Sequence, residues 1–168
     1  MSFILRSLRL LAIVVWVGGL IFFAAIEAPT AVHVLGTTRP FALLIGNSLR
    51  ELNEIGHICG FLFLLATIAF WFRTDARSRR LLMIQSLLVI LMIVATMAVQ
   101  SRIIPAMERD RAAAGGDIAS VPADNSARAD FDRLHALSEK VEGAALFLGL
   151  GVVLLLAAEP ARLRQVES

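Results

Sequence analysis

The sequence predicts an all-α integral membrane protein, a four-helix bundle with both termini in the cytoplasm. Three observations support this fold class. The chain is 58 % hydrophobic with a mean hydropathy of +0.76, well above the apolar share of a soluble domain. Four segments approach the roughly 20 apolar residues that a helix needs to cross a bilayer. One predicted side of the membrane has eight basic and three acidic residues, and the other has eight basic and eleven acidic residues.

We place the four spans at about 8–28, 53–72, 81–101 and 141–158, within one domain that covers residues 1–168. The first span follows Arg6 and Arg9, as the apolar region of a signal peptide would. Pro29 comes directly after it, and no small-residue cleavage site precedes it, so we interpret it as a retained helix. We expect the second helix to begin near Ser48, which forms an S-x-x-E capping box with Glu51.

The orientation of the bundle follows from the arginines. The connection between the second and third spans, RTDARSRR, is short and basic, and further arginines precede the first span and follow the fourth. By the positive-inside rule this side is cytoplasmic, and the longer loop at about 102–130 is external. The sequence therefore predicts a multi-pass protein of the bacterial inner membrane. The arginines assigned to the inner side are Arg6, Arg9, Arg73, Arg77, Arg79, Arg80, Arg162 and Arg164.

Charge and cysteine content limit the classes of function and partner. The formal net charge of +2 gives no reason to expect nucleic acid as a partner. The single cysteine, Cys59, excludes an intrachain disulfide and is typical of a small packing residue. No nucleophile–base pair, phosphate loop or zinc-protease motif is found, so the sequence favours a non-enzymatic role. The expected partner is the lipid bilayer, and a homodimer or a larger membrane complex stays open.

Polar residues form stripes at the predicted outer ends of the helices. Residues at helical spacing share one face of the second helix, and a similar stripe lies on the fourth helix. The first and third helices each contribute a polar residue near the same end. We therefore expect these side chains to converge at one level of the bundle. The candidate site residues are Glu27, Glu54, His57, Gln100, His135, Ser138, Glu139 and Glu142.

Three interpretations of this cluster stay open. The first is a structural polar network, since intramembrane charges are usually paired. The second is a site for a cation or a small solute, because Glu54 and Glu142 lie beyond the first helical turn that the macrodipole favours. The third is a divalent transition metal in a membrane enzyme or redox protein. Glu54 and His57 have the E-x-x-H spacing of bundle metal sites, which His135 and Glu139 could complete.

Small residues recur at the spacing of helix contacts. They let two backbones approach closely, and four helices offer enough partners within one chain. We therefore predict that these residues mark packing inside the bundle. They are Gly18 with Gly19, Gly56 with Gly60, and Ala145 with Gly149.

Three stretches resemble the transmembrane protein 205-like family, also listed as domain-of-unknown-function family 4149. WVGGLIFFAAIEAP is similar to its first helix, and RPFALLIGNSLRELNEIGHICG to its link into the second. FDRLHALSEKVEG resembles its fourth-helix signature, with His135 and Ser138 in the signature's places and Glu142 where the family has asparagine. The resemblance implies a bacterial four-helix membrane protein and supplies no molecular activity. Its animal members are linked to platinum resistance, an analogy that suggests metal or drug handling.

Overall fold

The computed structural model describes residues 2–36, 38–72, 76–122 and 124–159, and every regular element in these ranges is helical. This finding confirms the predicted all-α class. In chain order the elements are α1 (Ser2–Phe22), a first π-helical turn (Phe23–Glu27), α2 (Ala28–Leu35), α3 (Arg39–Trp71), α4 (Ala76–Ala98), a second π-helical turn (Val99–Ile103), α5 (Ile104–Ala113), a 3₁₀ turn (Ile118–Ser120) and α6 (Ser126–Ala157).

Four continuous helical rods are long and apolar enough to cross a membrane, as predicted. They comprise Phe3–Leu35, Arg39–Trp71, Arg79–Ala113 and Ser126–Ala157, with 33, 33, 35 and 32 residues. A bilayer core of about 30 Å takes about 20 residues at 1.5 Å each, so every rod is about a dozen residues longer than a span requires. The rods form a ring in which α1 and α4 each contact both α3 and α6.

The two ends of the bundle differ in what they hold. We call the end with Ser2, Trp71 and Glu159 the terminal end, and the end with Leu35 and Arg39 the distal end. Several residues used for the predicted orientation, among them Arg73, Asp75, Arg162, Arg164 and Glu167, lie outside the described residues. The rods lengthen mainly toward the distal end, where the sequence is more polar.

Two helix boundaries differ from the predicted ones. The second rod begins at Arg39 rather than near Ser48, because Thr38 is extended and Pro40 fits the first helical turn, where no backbone N–H is needed. The predicted loop at about 102–130 is shorter. Helix α5 continues to Ala113 and α6 begins at Ser126, whose preceding residue Asn125 caps the helix through its side-chain oxygen.

Each π-helical turn directly precedes a proline-containing helix. Pro29 is the second residue of α2, and Pro105 is the second residue of α5. Proline lacks a backbone N–H and clashes with the carbonyl four residues earlier, so it normally ends an α-helix. A π-helical turn changes the hydrogen-bond spacing at this point, and the rod continues past the proline.

The bundle has polar groups in its interior and apolar side chains on its outside. Large side chains such as Phe147 and Leu154 are 74 % and 71 % exposed. Lipid accepts such surfaces without the cost that water would impose, since lipid tails are as apolar as leucine. Buried polar side chains are found alongside an apolar core centred on Trp16, Phe63 and Met92. The buried polar residues are Arg9, Asn53, Thr67, Gln85, Thr96 and Ser138.

Small residues allow the close helix contacts, as the sequence predicts. A side chain at Gly56 would overlap the indole of Trp16, and one at Gly60 would come within 2.9 Å of Ile93 Cδ1. A side chain at Gly149 would come within 3.0 Å of Met92 Cε. These contacts confirm packing inside the bundle. Gly18 differs, because a Cβ there would meet nothing within 4 Å.

Candidate functional site

A buried hydrogen bond joins α3 to α6. Asn53 Nδ2 donates to Glu142 Oε1 over 2.9 Å, and the Asn53 side chain is fully buried. Asn53 faces inward because it lies three residues before Gly56, where the helix packs closely on α1. The bond holds a carboxylate within the bundle, about four turns into α6. Glu142 is half-buried, whereas Glu54 at the same level of α3 is exposed.

A second hydrogen bond joins α3 to α4 one turn nearer the terminal end. His57 Nε2 lies 2.9 Å from Thr96 Oγ1, and the Thr96 hydroxyl donates to the backbone oxygen of Met92. A hydroxyl has one proton, so its oxygen accepts from His57 Nε2. The imidazole also meets the indole of Trp16 edge to face at 6.5 Å. This nitrogen is therefore engaged inside the bundle.

Among the described residues, four buried side-chain atoms of this region have no hydrogen-bond partner. Three are acceptors, Asn53 Oδ1, Gln100 Oε1 and Glu142 Oε2, and the fourth is the donor Trp16 Nε1. Thr96 and His57 contact each other. Gln100 and Asn53 each lie about one helical turn from that contact toward the distal end, so their acceptor atoms lie at a similar height along the bundle axis. Unpaired buried polar atoms cost about 1–3 kcal/mol each, which makes such a group uncommon outside functional sites.

A cavity of about 1070 Å³ opens between the distal parts of the rods, and we call it the distal cavity. Its walls are mainly apolar and come from α1, α2, α3, α5 and α6, with Leu20 and Leu146 nearest the terminal end. Glu142 lies on the wall one turn from Leu146. The cavity volume is at the upper end of the range for small-molecule sites.

The structure divides the predicted site residues into three sets. His135, Ser138, Glu139 and Glu142 line the distal cavity. His57 and Gln100 lie inside the bundle behind it and are half-buried. Glu27 and Glu54 are not among the described cavity-lining residues: Glu27 lies in the first π-helical turn, and Glu54 is exposed.

The residues of the metal hypothesis do not converge. Glu54 faces away from the interior, whereas His57 bonds to Thr96 within it. His135 and Glu139 contact each other at 3.3 Å on an exposed flank of α6. Within the ranges that the structure describes, no three His, Cys, Asp or Glu residues are grouped so that they could hold a metal ion. Residues three positions apart are separated by about 60° around an α-helix, and here His57 lies inside the bundle whereas Glu54 lies on its exposed side.

The structure contains a polar cluster at the terminal end that the sequence analysis does not predict. Arg9 Nη2 donates to Gln85 Oε1 and, over 2.9 Å, to Glu159 Oε1, while Gln85 Nε2 donates to the same oxygen at 3.2 Å. Arg6 Nη2 adds an ion pair to Glu159 Oε2 at 3.5 Å. We call these four residues the terminal clasp. It ties α1, α4 and the end of α6 together.

Aromatic rings complete the surroundings of the terminal clasp. The Arg9 guanidinium lies 5.1 Å from the ring centre of Phe63 and 5.8 Å from that of Phe70. Such cation–π contacts stabilise a desolvated guanidinium. In the sequence, Arg9 and Gln85 each lie in an apolar run. The sequence analysis assigns Arg9 only to the orientation of the bundle and gives no role to Gln85.

Comparison with known families gives one match. The family model described as a domain of unknown function, DUF4149, matches residues 11–114, which is more than half of the chain. The chain belongs to the DUF4149 family. The DUF4149 match runs from α1 to the end of α5 and stops before α6, so it does not include Glu142. Comparison with curated proteins and with solved structures gives no match. With its four apolar rods, this DUF4149 chain is a multi-pass membrane protein of undefined activity.

Proposed function

We propose that this protein binds a small amphipathic molecule in the distal cavity, at the outer surface of the membrane. One observation carries the proposal: a cavity of about 1070 Å³ with apolar walls has a carboxyl group, Glu142, near its inner limit. Small-molecule sites typically combine apolar walls with a few polar groups that fix the ligand's orientation. Apolar walls suit the ligand's tail, and Glu142 with Asn53 behind it suits the polar head.

The position of the cavity supports an amphipathic ligand. Its lining reaches from Leu20 and Leu146, in the apolar part of the rods, to Arg128 and Asp117 at the distal end. A molecule whose head group meets Glu142 near the inner limit would place its tail along the apolar walls toward the distal opening. Binding from the outer leaflet or from solution would use the same opening.

The first experiment measures binding of three eight-carbon probes, octylamine, 1-octanol and octanoate, to the protein in a maltoside detergent. We expect at least one probe to bind at a stoichiometry of one and to raise the unfolding temperature, with stoichiometry read by native mass spectrometry. Absence of binding by all three probes would overturn the proposed function.

A matched pair of glycine variants locates the binding. Gly143 lines the distal cavity, and Gly18 faces outward, and at both positions an added Cβ meets nothing within 4 Å. Gly143→Phe fills cavity volume, so we expect it to weaken binding at least tenfold. Gly18→Phe adds the same side chain elsewhere and should leave binding unchanged. Equal effects of the two variants would also contradict the proposal.

A second candidate is a structural or accessory subunit whose polar groups only lock the helices. The observation that favours it is the pair of buried hydrogen bonds, Asn53 to Glu142 and His57 to Thr96, which join three helices. An accessory subunit would co-purify with a larger membrane complex and would bind none of the probes.

We further propose that the protein lies in a bacterial inner membrane with both termini in the cytoplasm, as a relative of the transmembrane protein 205-like proteins. Support comes from the basic residues at the terminal end, where Arg6, Arg9, Arg79 and Arg80 lie. The distal end holds a mixture of acidic and basic residues instead.

A further inference from the structure

We propose that the distal cavity selects a primary ammonium head group, so that its ligand belongs to the class of alkylamines. This inference rests on the proposed function of the cavity and names the chemistry of the polar head. It follows from three independent features: unpaired acceptor atoms, a carboxylate without a cationic partner, and the charge balance of the cavity lining.

The unpaired atoms around Glu142 are acceptors. Glu142 Oε2 and Asn53 Oδ1 are buried without a donor, and they belong to two side chains that already bond to each other at 2.9 Å. Gln100 Oε1 is a third such acceptor at the same level. A primary ammonium offers three N–H donors and no acceptor, so it matches this set. A hydroxyl would satisfy one acceptor, and a carboxylate would add further acceptors.

The fourth unpaired atom does not compete for this head group. Trp16 Nε1 is a donor, and it lies against Gly56, on the terminal-end side of Asn53. Its position is fixed by the close contact between α1 and α3. Glu142 is among the described residues that line the cavity and Trp16 is not, so a head group in the cavity meets the acceptor of Glu142 and not this donor.

The carboxylate of Glu142 has no cation of its own. Among the described residues, no lysine, arginine or histidine nitrogen lies within 4.0 Å of it. Two of the three arginines of the cavity wall are engaged elsewhere: Arg111 pairs with Glu108 at 2.7 Å, and Arg128 donates to the backbone oxygen of Val121 at 2.6 Å. A buried carboxylate is costly unless it is paired, and a bound ammonium would supply the missing charge.

The net charge of the cavity lining also favours a cationic ligand. Five carboxylates line the cavity against three arginines, although the chain as a whole has a net charge of +2. The local excess of negative charge would raise the concentration of cationic ligands at the opening. The lining carboxylates are Glu108, Asp117, Asp132, Glu139 and Glu142.

The test compares the heads of the three eight-carbon probes at pH 7 in the full-length protein. We expect octylammonium to bind at least tenfold more tightly than 1-octanol or octanoate, because only the ammonium pairs Glu142. Equal affinity of octylammonium and 1-octanol would overturn the ammonium assignment and leave the proposed amphiphile site standing. Binding by none of the probes would instead remove the proposed function itself.

Two glutamate variants assign the selectivity to one carboxylate. Glu142→Gln keeps an amide oxygen that can accept from Asn53, and it removes the charge. We expect it to bring octylammonium to within about threefold of 1-octanol. Glu51→Gln removes the same charge from an exposed residue of α3 that is not among the described cavity-lining residues, and it should keep the tenfold preference. A Glu142→Gln protein that keeps its preference for octylammonium would overturn the inference, with the 1-octanol affinity confirming that the cavity is intact.

Discussion

Asn53 donates a hydrogen bond to Glu142 over 2.9 Å, and this contact is the link between the bundle interior and the distal cavity. Asn53 is fully buried in α3, whereas Glu142 lines the cavity from α6. The pair therefore connects the packing of α3 to the distal cavity. We expect its removal to lower both the free energy of unfolding and the affinity for a ligand.

We predict that Asn53→Ala lowers the free energy of unfolding by about 1–3 kcal/mol, because the carboxyl group of Glu142 loses its donor. The measurement is unfolding of the detergent-solubilised protein with increasing sodium dodecyl sulfate. Asn47→Ala is the matched control, since Asn47 is exposed on the same helix and should change stability little. In a double-mutant cycle with Glu142→Ala the effects should be non-additive. Additive effects would show that the contact contributes nothing.

Gly56 should tolerate no side chain. A Cβ there would overlap the indole of Trp16, so Gly56→Ala forces one helix away from the other, and we expect a loss of about 1–3 kcal/mol. Gly18→Ala adds the same methyl group where nothing lies within 4 Å, and the higher helix propensity of alanine should make it neutral or slightly stabilising. Trp71→Phe leaves Trp16 as the single tryptophan, so its fluorescence reports the repacking directly. An unchanged Trp16 spectrum in Gly56→Ala would contradict this account.

Removing one partner of the terminal clasp should lower the stability of the protein strongly, whereas replacing its buried members together by apolar residues should lower it little. Arg9→Met leaves the buried carboxylate of Glu159 with Gln85 at 3.2 Å and Arg6 at 3.5 Å, and we expect a loss of about 3–5 kcal/mol. Replacing Arg9, Gln85 and Glu159 together by Met, Leu and Leu removes the three buried members and leaves only the partly exposed Arg6. The triple variant should recover most of the parent stability. A triple variant as unstable as Arg9→Met would show that the contribution lies in the arginine's packing on Phe63 instead.

Cysteine labelling should reveal the orientation of the bundle. In a Cys59→Ala background the chain has no cysteine, so one can be placed at Ser120 near the distal end or at Phe3 near the terminal end, both exposed. We expect a membrane-impermeant maleimide to label Ser120→Cys in intact spheroplasts, and Phe3→Cys only after permeabilisation. The reverse pattern would place the termini outside and the distal cavity in the cytoplasm.

The sequence was sufficient to predict the four rods because each contains an uninterrupted apolar run of the length that a bilayer requires. It also predicted that Glu54 and His57 share one polar stripe and that His135, Ser138, Glu139 and Glu142 share another, since helical spacing fixes which residues share a face. Spacing does not fix the rotation of that face about the helix axis. Glu54 is one residue from Asn53, about 100° around the helix, and it faces outward.

The terminal clasp was not predictable for a different reason. An arginine at the start of an apolar run is equally compatible with an orientation signal and with a buried ion pair. Its partner Glu159 is 150 residues away, and only the closure of the four-helix ring brings the two together. The rods are also longer than the predicted spans, because the helices continue past Pro29 and Pro105 after the two π-helical turns.

The two π-helical turns determine which faces of α2 and α5 are turned toward the cavity. Each adds backbone to the rod without ending it, and one residue corresponds to about 100° of rotation around an α-helix. Deleting a single residue of the first turn, such as Ala25, would turn α2 by about that angle relative to α1. We expect Pro29, Val32 and His33 then to leave the cavity wall. The number of residues between α1 and α2 would therefore influence which ligand the proposed site accepts, independently of the side chains on α2.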